Sequence, residues 1–171
     1  MKSKAILVLL AAFSFNLFTP SLSSSVSSSI SRAAQGKTLA GTPDGVVREL
    51  YKVHRMGNGP IFEGKSRTYL VKFFDRKLSG LIWKELTTHS EEVGNLDFDP
   101  LYNAQDIGIK NFRVGTPLID KGRAVVPVTF NNYDLKVKIV FHLLGADGGW
   151  KIENLVYEDG SNLLEILSAP Q

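Results

Sequence analysis

"LKVKIVFHL", Leu135–Leu143, decides the fold class. Leu135, Val137, Ile139, Phe141 and Leu143 occupy every second position, and Lys136, Lys138, Val140 and His142 fill the alternate ones. A period of two places each set on its own face of a β-strand. The flanking sequence follows the same rule. Ala124, Val126, Val128 and Phe130 share one face of a strand upstream. Downstream, Trp150, Ile152 and Val156 share a face, opposed by Lys151, Glu153, Leu155 and Tyr157, with Trp150 and Tyr157 packing in the core or at its rim. Ile109, Phe112 and Val114 mark a further strand with imperfect alternation. The links "NNYD" (Asn131–Asp134) and "GADGG" (Gly145–Gly149) are short. Short links make antiparallel hairpins, not parallel crossovers, so the four strands form a meander.

The chain upstream has helical periodicity. In "TPDG", Thr42 suits an N-cap, Pro43 the first helical position, and Asp44 the positive end of the helix dipole. Val47, Leu50, Tyr51 and His54 then recur on one face, with Arg48, Lys52 and Arg55 on the other as a solvated face. Met56-Gly57-Asn58-Gly59-Pro60 ends this helix. A second helical region starts near Ser66. Leu70, Phe73, Phe74, Leu78, Leu81, Ile82 and Leu86 form its apolar stripe, Lys72, Arg76 and Lys77 lie outside it, and Gly80 is a candidate break. "TTHSEEVGN", Thr87–Asn95, closes it in polar residues, and Leu163–Leu167 reads as a short covering helix. Helices segregated from strands mean α+β. The expectation is a single domain over 42–168: N-terminal helices on a curved, cone-like, four-stranded antiparallel sheet, with the odd-numbered face of Leu135–Leu143 against Phe73 and Phe74.

The first residues have a different character. Lys2 and Lys4 precede the apolar run Ala5–Phe18, and Thr19, Pro20 and a Ser-rich stretch follow. A basic start, a short apolar run and small residues are the marks of a secretory signal peptide. It is placed at 1–24, with its end as late as 34, followed by a Ser/Ala/Gly-rich flexible leader to 41. Periplasmic or secreted localisation follows, with no stable membrane span after cleavage. The chain contains no Cys, which excludes both disulfides and a lipid-anchored N-terminal cysteine. Lys2, Lys4 and Arg32 account for the whole net charge of +3, so a chain cut after Ala34 is neutral. Nucleic-acid binding wants a concentrated basic footprint, and a neutral chain does not supply it.

The candidate site is "LDFDPLYNAQD", Leu96–Asp106, at the junction of helices and strands. Asp97 and Asp99 have the spacing that opens an EF-hand, but the fifth, sixth and twelfth positions hold Leu101, Tyr102 and Gly108. That loop needs oxygen, Gly and Glu there, so an EF-hand is excluded. A looser oxygen site from Asp97, Asp99 and Asp106 stays open. For acid–base chemistry the pool is Asp97, Asp99, Asp106, His54, His89 and His142. His54 on its apolar stripe is either a cavity base paired with Asp99 or Asp106, or a satisfied core histidine. His142 shares a solvent face with Lys136 and Lys138, and His89 lies in a polar tail. Nucleophile motifs are absent, and so are the Gly-rich nucleotide patterns, so no cofactor is expected. The structural alternative makes Asp99-Pro100 a helix start, with Leu101, Ala104 and Gln105 on one side of a short helical turn, and Asp106 an acceptor of backbone N–H groups. A ligand- or partner-binding rim would use Asp99, Tyr102, Gln105 and Asp106.

Four segments carry a family likeness: "VVRELYKVH", "SRTYLVKFF", "FDPLYNAQD" and "GGWKIENLVYEDG". Across Val46–Gly160 the chain resembles the bacterial domain-of-unknown-function family 3828, most specifically in Asp99-Pro100 and Gln105-Asp106. The resemblance implies an exported envelope protein with a nuclear-transport-factor-2-like or cystatin-like fold, and no established reaction. This chain departs from the lipid-anchored members in having no lipobox Cys. The function expected is non-catalytic binding of an envelope protein, a toxin or a small apolar ligand. The alternative is a small hydrolase or isomerase using His54 with Asp99 or Asp106.

Overall fold

A computed structural model describes residues 41–55, 61, 67–88 and 94–170. The signal segment, nearly all of the leader, His89 and the Met56–Pro60 helix terminator lie outside the described residues. Helix α1 (Pro43–Val53) begins as its sequence dictates: Thr42 Oγ1 accepts the Gly45 N–H at 3.2 Å, with Pro43 in the first turn. It buries Val47, Leu50 and Tyr51.

The long helical region divides into α2 (Arg67–Phe73) and α3 (Arg76–Thr88). The break falls at Phe74–Asp75, and Gly80 lies within α3. Asp75 causes the break: its Oδ1 accepts the Leu78 N–H at 2.7 Å, and its own N–H donates to the Ile152 carbonyl at 2.9 Å. The preceding residue, Phe74, pairs with Ile152 as a parallel bridge, so the junction is stitched to the sheet. Lys151 Nζ closes the end of α2 by donating to the carbonyls of Val71 and Lys72, where the helix dipole favours a cation.

The sheet is antiparallel. Its elements are β1 (Ile109–Val114), β2 (Leu118–Asp120), β3 (Arg123–Asn132), β4 (Leu135–Ala146) and β5 (Gly149–Tyr157). The order is β1-β3-β4-β5, and β2 pairs with the other end of β3. β1 and β2 together edge β3, interrupted where the Gly115 N–H donates to the Pro127 carbonyl at 2.7 Å. The expected meander is therefore present, with a divided first strand. The curved sheet and the helices make an α+β fold, closed by α4 (Leu163–Ser168) under its Asn162 cap.

The alternation in Leu135–Leu143 holds from Ile139 onward: Ile139, Phe141 and Leu143 are fully buried and Lys136 and Lys138 are exposed, but Val137 is half-buried and Leu135, beside the hairpin, is exposed, which corrects its place on the buried face. Each such burial contributes about 1.5–3 kcal/mol. The last strand corrects the expected faces. Ile152, Leu155 and Tyr157 are buried and Val156 is only partly so. The register against β4 slips between His142, opposite Asn154, and Leu143, opposite Ile152. Glu153 is the extra residue, and a bulge of one residue exchanges the faces beyond it. β1 does the same. Lys110 faces Asn131 and Arg113 faces Thr129, leaving two residues opposite Phe130, with Asn111 at φ 55°. That bulge explains the imperfect alternation of Ile109, Phe112 and Val114.

Candidate functional site

Leu96–Asp106 contains no helix, which corrects the expected helix start at Asp99-Pro100. Asp99 and Ala104 pair as an antiparallel bridge, and the Asp99 N–H donates to the Ala104 carbonyl at 2.9 Å. Within the turn, Asp99 Oδ1 accepts the Leu101 N–H at 2.8 Å. This is the short-range side-chain bond by which Asp favours turns. Three side chains from other elements grip the loop. His54 Nε2 lies 2.6 Å from Asp99 Oδ2. Tyr51 donates its hydroxyl to the Leu101 carbonyl at 2.6 Å, and Tyr157 donates its own to the Pro100 carbonyl at 3.2 Å.

The sequence-derived pair His54 and Asp99 is thus brought together. Their side chains are 8% and 9% exposed, so the pair is sealed rather than presented. Both Asp99 oxygens are engaged, one by the ring and one by the backbone. Asp106 is exposed and apart from this pair. Its backbone carbonyl accepts from Asn132 Nδ2 at 2.9 Å, while Asn132 Oδ1 accepts the Gly108 N–H at 2.7 Å. The junction role expected of Asp106 therefore belongs to the buried amide of Asn132. Gln105 donates to Asp97 Oδ2 at 3.4 Å on the surface. Asp97, Asp99 and Gln105 line a shallow hollow with Leu96, Phe98 and Ile107. Among the described residues, no cluster of three or more His, Asp or Glu side chains is placed to hold a metal ion. His142 lies on the outer face of β4, opposite Val125 and Asn154.

Tyr51, Tyr102 and Tyr157 all have pKa values raised above the ordinary 10.0. Burial is the main cause for each, and the Asp99 charge adds to it. A phenol with a raised folded-state pKa stabilises the fold fully below the unfolded value and ceases to do so as pH rises through the folded one. Unfolding free energy in urea should therefore hold steady up to about pH 10 and fall beyond it. Tyr51→Phe should flatten part of that fall; an unchanged pH slope would contradict the burial of this phenol.

The accessible cleft lies beside the sealed pair. It encloses about 410 Å³ between α1 and β1, within the range of small-ligand sites. Arg48, Lys52, Arg55, Lys110 and Asn111 line it, over a floor of Tyr51, Tyr102, Ile109 and Phe112. Among the described residues that line it there is neither a carboxylate nor a histidine. The floor is an aromatic cluster. Tyr51 stands edge-on to Phe112 at 4.7 Å between ring centroids, and 5.7 Å from Tyr102. Tyr102 is the one residue of the expected binding rim that lines this cleft.

No protein-family model matches the chain. No curated protein sequence is significantly similar to it. Among solved structures, a chain of the type VI effector–immunity complex Tae3–Tai3 from Ralstonia pickettii has a similar fold. The TM-score is 0.53 at 19% identity, over 69% of this chain and 96% of that one. A phospholipid-binding protein from Ralstonia solanacearum matches at a TM-score of 0.30 and 20% identity, over 75% of this chain and 74% of that one. At these identities the first likeness concerns the fold alone, and the second is too slight to bear on it.

Sequence reasoning missed the cleft. Arg48, Lys52 and Arg55 are exposed, as a solvated face should be, yet they also form one wall of it. Their spacing of four and three residues was the available signal, because it stacks them on one side of a helix. Lys110, which completes the set, comes from a distant strand, and the bulge beside it follows from no simple alternation. Among the described residues, no helix is long and apolar enough to cross a membrane.

Proposed function

We propose that this chain is an exported, non-catalytic binding domain that meets its partner through the face carrying the α1–β1 cleft. One observation carries the proposal. The one His–Asp pair found among the described residues, His54 with Asp99, is buried and holds a loop, whereas the described residues that line the open cleft include no carboxylate or histidine. General acid–base catalysis needs the titrating group within reach of substrate. A buried pair tied to the backbone supplies shape instead.

The similar fold of a chain in an effector–immunity complex supports a protein as the partner. Export rests on the basic start, apolar run and Ser-rich stretch of residues 1–24. Membership in the domain-of-unknown-function family 3828 belongs to the same proposal, supported by Asp99-Pro100 and Gln105-Asp106.

Crosslinking capture from the periplasm of a producing bacterium tests this reading. Wild-type protein should recover one stoichiometric partner, and Lys52→Glu/Arg55→Glu should lose it without a change in melting temperature. Turnover of any ester, amide or isomerisable substrate that disappears in a folded His54→Gln variant would overturn the proposal.

A further inference from the structure

The cleft on the proposed binding face has a chemistry of its own, which narrows what can occupy it. Arg48 and Lys52 on α1 and Arg55 just beyond its end line one wall of the cleft, and Lys110 on β1 lines it with them. Two of these cations are partly committed. Arg48 lies 3.5 Å from Asp44 and donates to the Val114 carbonyl at 2.8 Å; Lys52 lies 3.9 Å from Glu49. Arg55 and Lys110 have no acidic partner among the described residues. A second hollow is also basic, with Arg113, Lys136 and Lys138, but Glu158 lines it too. Of these two basic hollows, the first joins cations that have no acidic partner among the described residues to an apolar floor. That floor includes Tyr102, which is 4% exposed and whose hydroxyl makes no hydrogen bond to another described residue.

Each half of the cleft selects one half of a ligand. A guanidinium and an ammonium on opposite walls suit a phosphate or carboxylate, with the guanidinium able to engage two oxygens at once. Of the floor, Tyr51 and Tyr102 are buried, and the partly exposed Ile109 and Phe112 offer the apolar area that a ligand can cover. A free inorganic anion would leave the floor uncovered, and a neutral apolar molecule would leave the cations unmatched. Resting on the binding reading above, we propose that the α1–β1 cleft binds an amphipathic anion, its phosphate or carboxylate head between Arg55 and Lys110 and its apolar body over Ile109 and Phe112. The same chemistry is offered by a free single-chain amphiphile and by an anionic lipid in a bilayer.

The test is a calorimetric titration of the full chain with monomeric decyl phosphate, with decyl maltoside as the uncharged control. A second arm measures co-sedimentation with phosphatidylglycerol vesicles. Arg55→Gln/Lys110→Gln in the same full chain controls for the apolar N-terminal segment, and circular dichroism confirms that the variant folds. Decyl phosphate should bind with one-to-one stoichiometry, and the double variant should weaken it by about tenfold or more, the loss expected for charge-assisted bonds. Binding confined to vesicles, and weakened by the same variant, supports the lipid source of the same chemistry. The proposal is overturned if neither probe binds, if the double variant binds as tightly as wild type, or if decyl maltoside binds equally well. Recognition of an acidic peptide without any amphiphile binding also overturns it. In that case capture that still depends on the cleft would leave the binding reading standing, whereas His54-dependent turnover would remove both.

Discussion

Asp99→Ala should destabilise the folded domain by about 3–5 kcal/mol, the cost of deleting one partner of a buried pair. The carboxylate receives two donors at once, His54 Nε2 at 2.6 Å and the Leu101 N–H at 2.8 Å. Truncation strands both in a region that water does not reach freely, since Asp99 is only 8% exposed. The damage should spread. The loop that Asp99 closes also supplies the Leu101 and Pro100 carbonyls to the buried hydroxyls of Tyr51 and Tyr157. Asp99→Asn keeps the shape and one acceptor, so its cost should be nearer about 1–3 kcal/mol. Urea denaturation followed by tryptophan fluorescence measures both. A near-neutral Asp99→Ala would mean that the loop is held by its own turn geometry alone.

Phe141→Ala should cost about 3–5 kcal/mol, whereas Lys138→Ala on the same strand should stay within about 0.5 kcal/mol. Phe141 is fully buried near the middle of the sheet, flanked by Val126 on β3 and Leu155 on β5, with its ring 5.8 Å from that of Tyr51. The truncation leaves a cavity beneath the aromatic cluster that floors the cleft. Lys138 projects from the opposite face, opposite Thr129. Matched denaturation curves for the two variants read the alternation directly. Comparable costs would mean that the two faces of the sheet are similarly covered.

The elements that were legible in the sequence are those whose determinants are local. Thr42-Pro43-Asp44 starts α1, and strict alternation places β3 and β4 with their short hairpins. Faces were misassigned on β5 beyond Glu153, because one extra residue inverts every later side chain without leaving a compositional mark. The helix break was misplaced for a related reason. Gly80 has the weaker helix propensity, but Asp75 bonds to Leu78 and to the sheet, and tertiary pairing overrides propensity. Asp99-Pro100 was legible as a capping dipeptide, yet the same side-chain oxygen serves a helix start or a tight turn. The closing contacts from His54, Tyr51 and Tyr157, remote in sequence, decide between them. The cleft was the least legible feature. It needs α1 and a bulged β1 to face each other, and neither segment declares that partner on its own.

If His54 and Asp99 act on the fold while the cleft acts on the ligand, their coupling should appear in stability and not in capture. A double-mutant cycle on His54→Gln and Asp99→Asn, measured by urea denaturation with partner capture on each folded variant, tests it most directly. A coupling energy of about 1–3 kcal/mol in stability is expected, with capture intact wherever the variant remains folded. Coupling near zero, together with loss of capture or of turnover in fully stable variants, would contradict it.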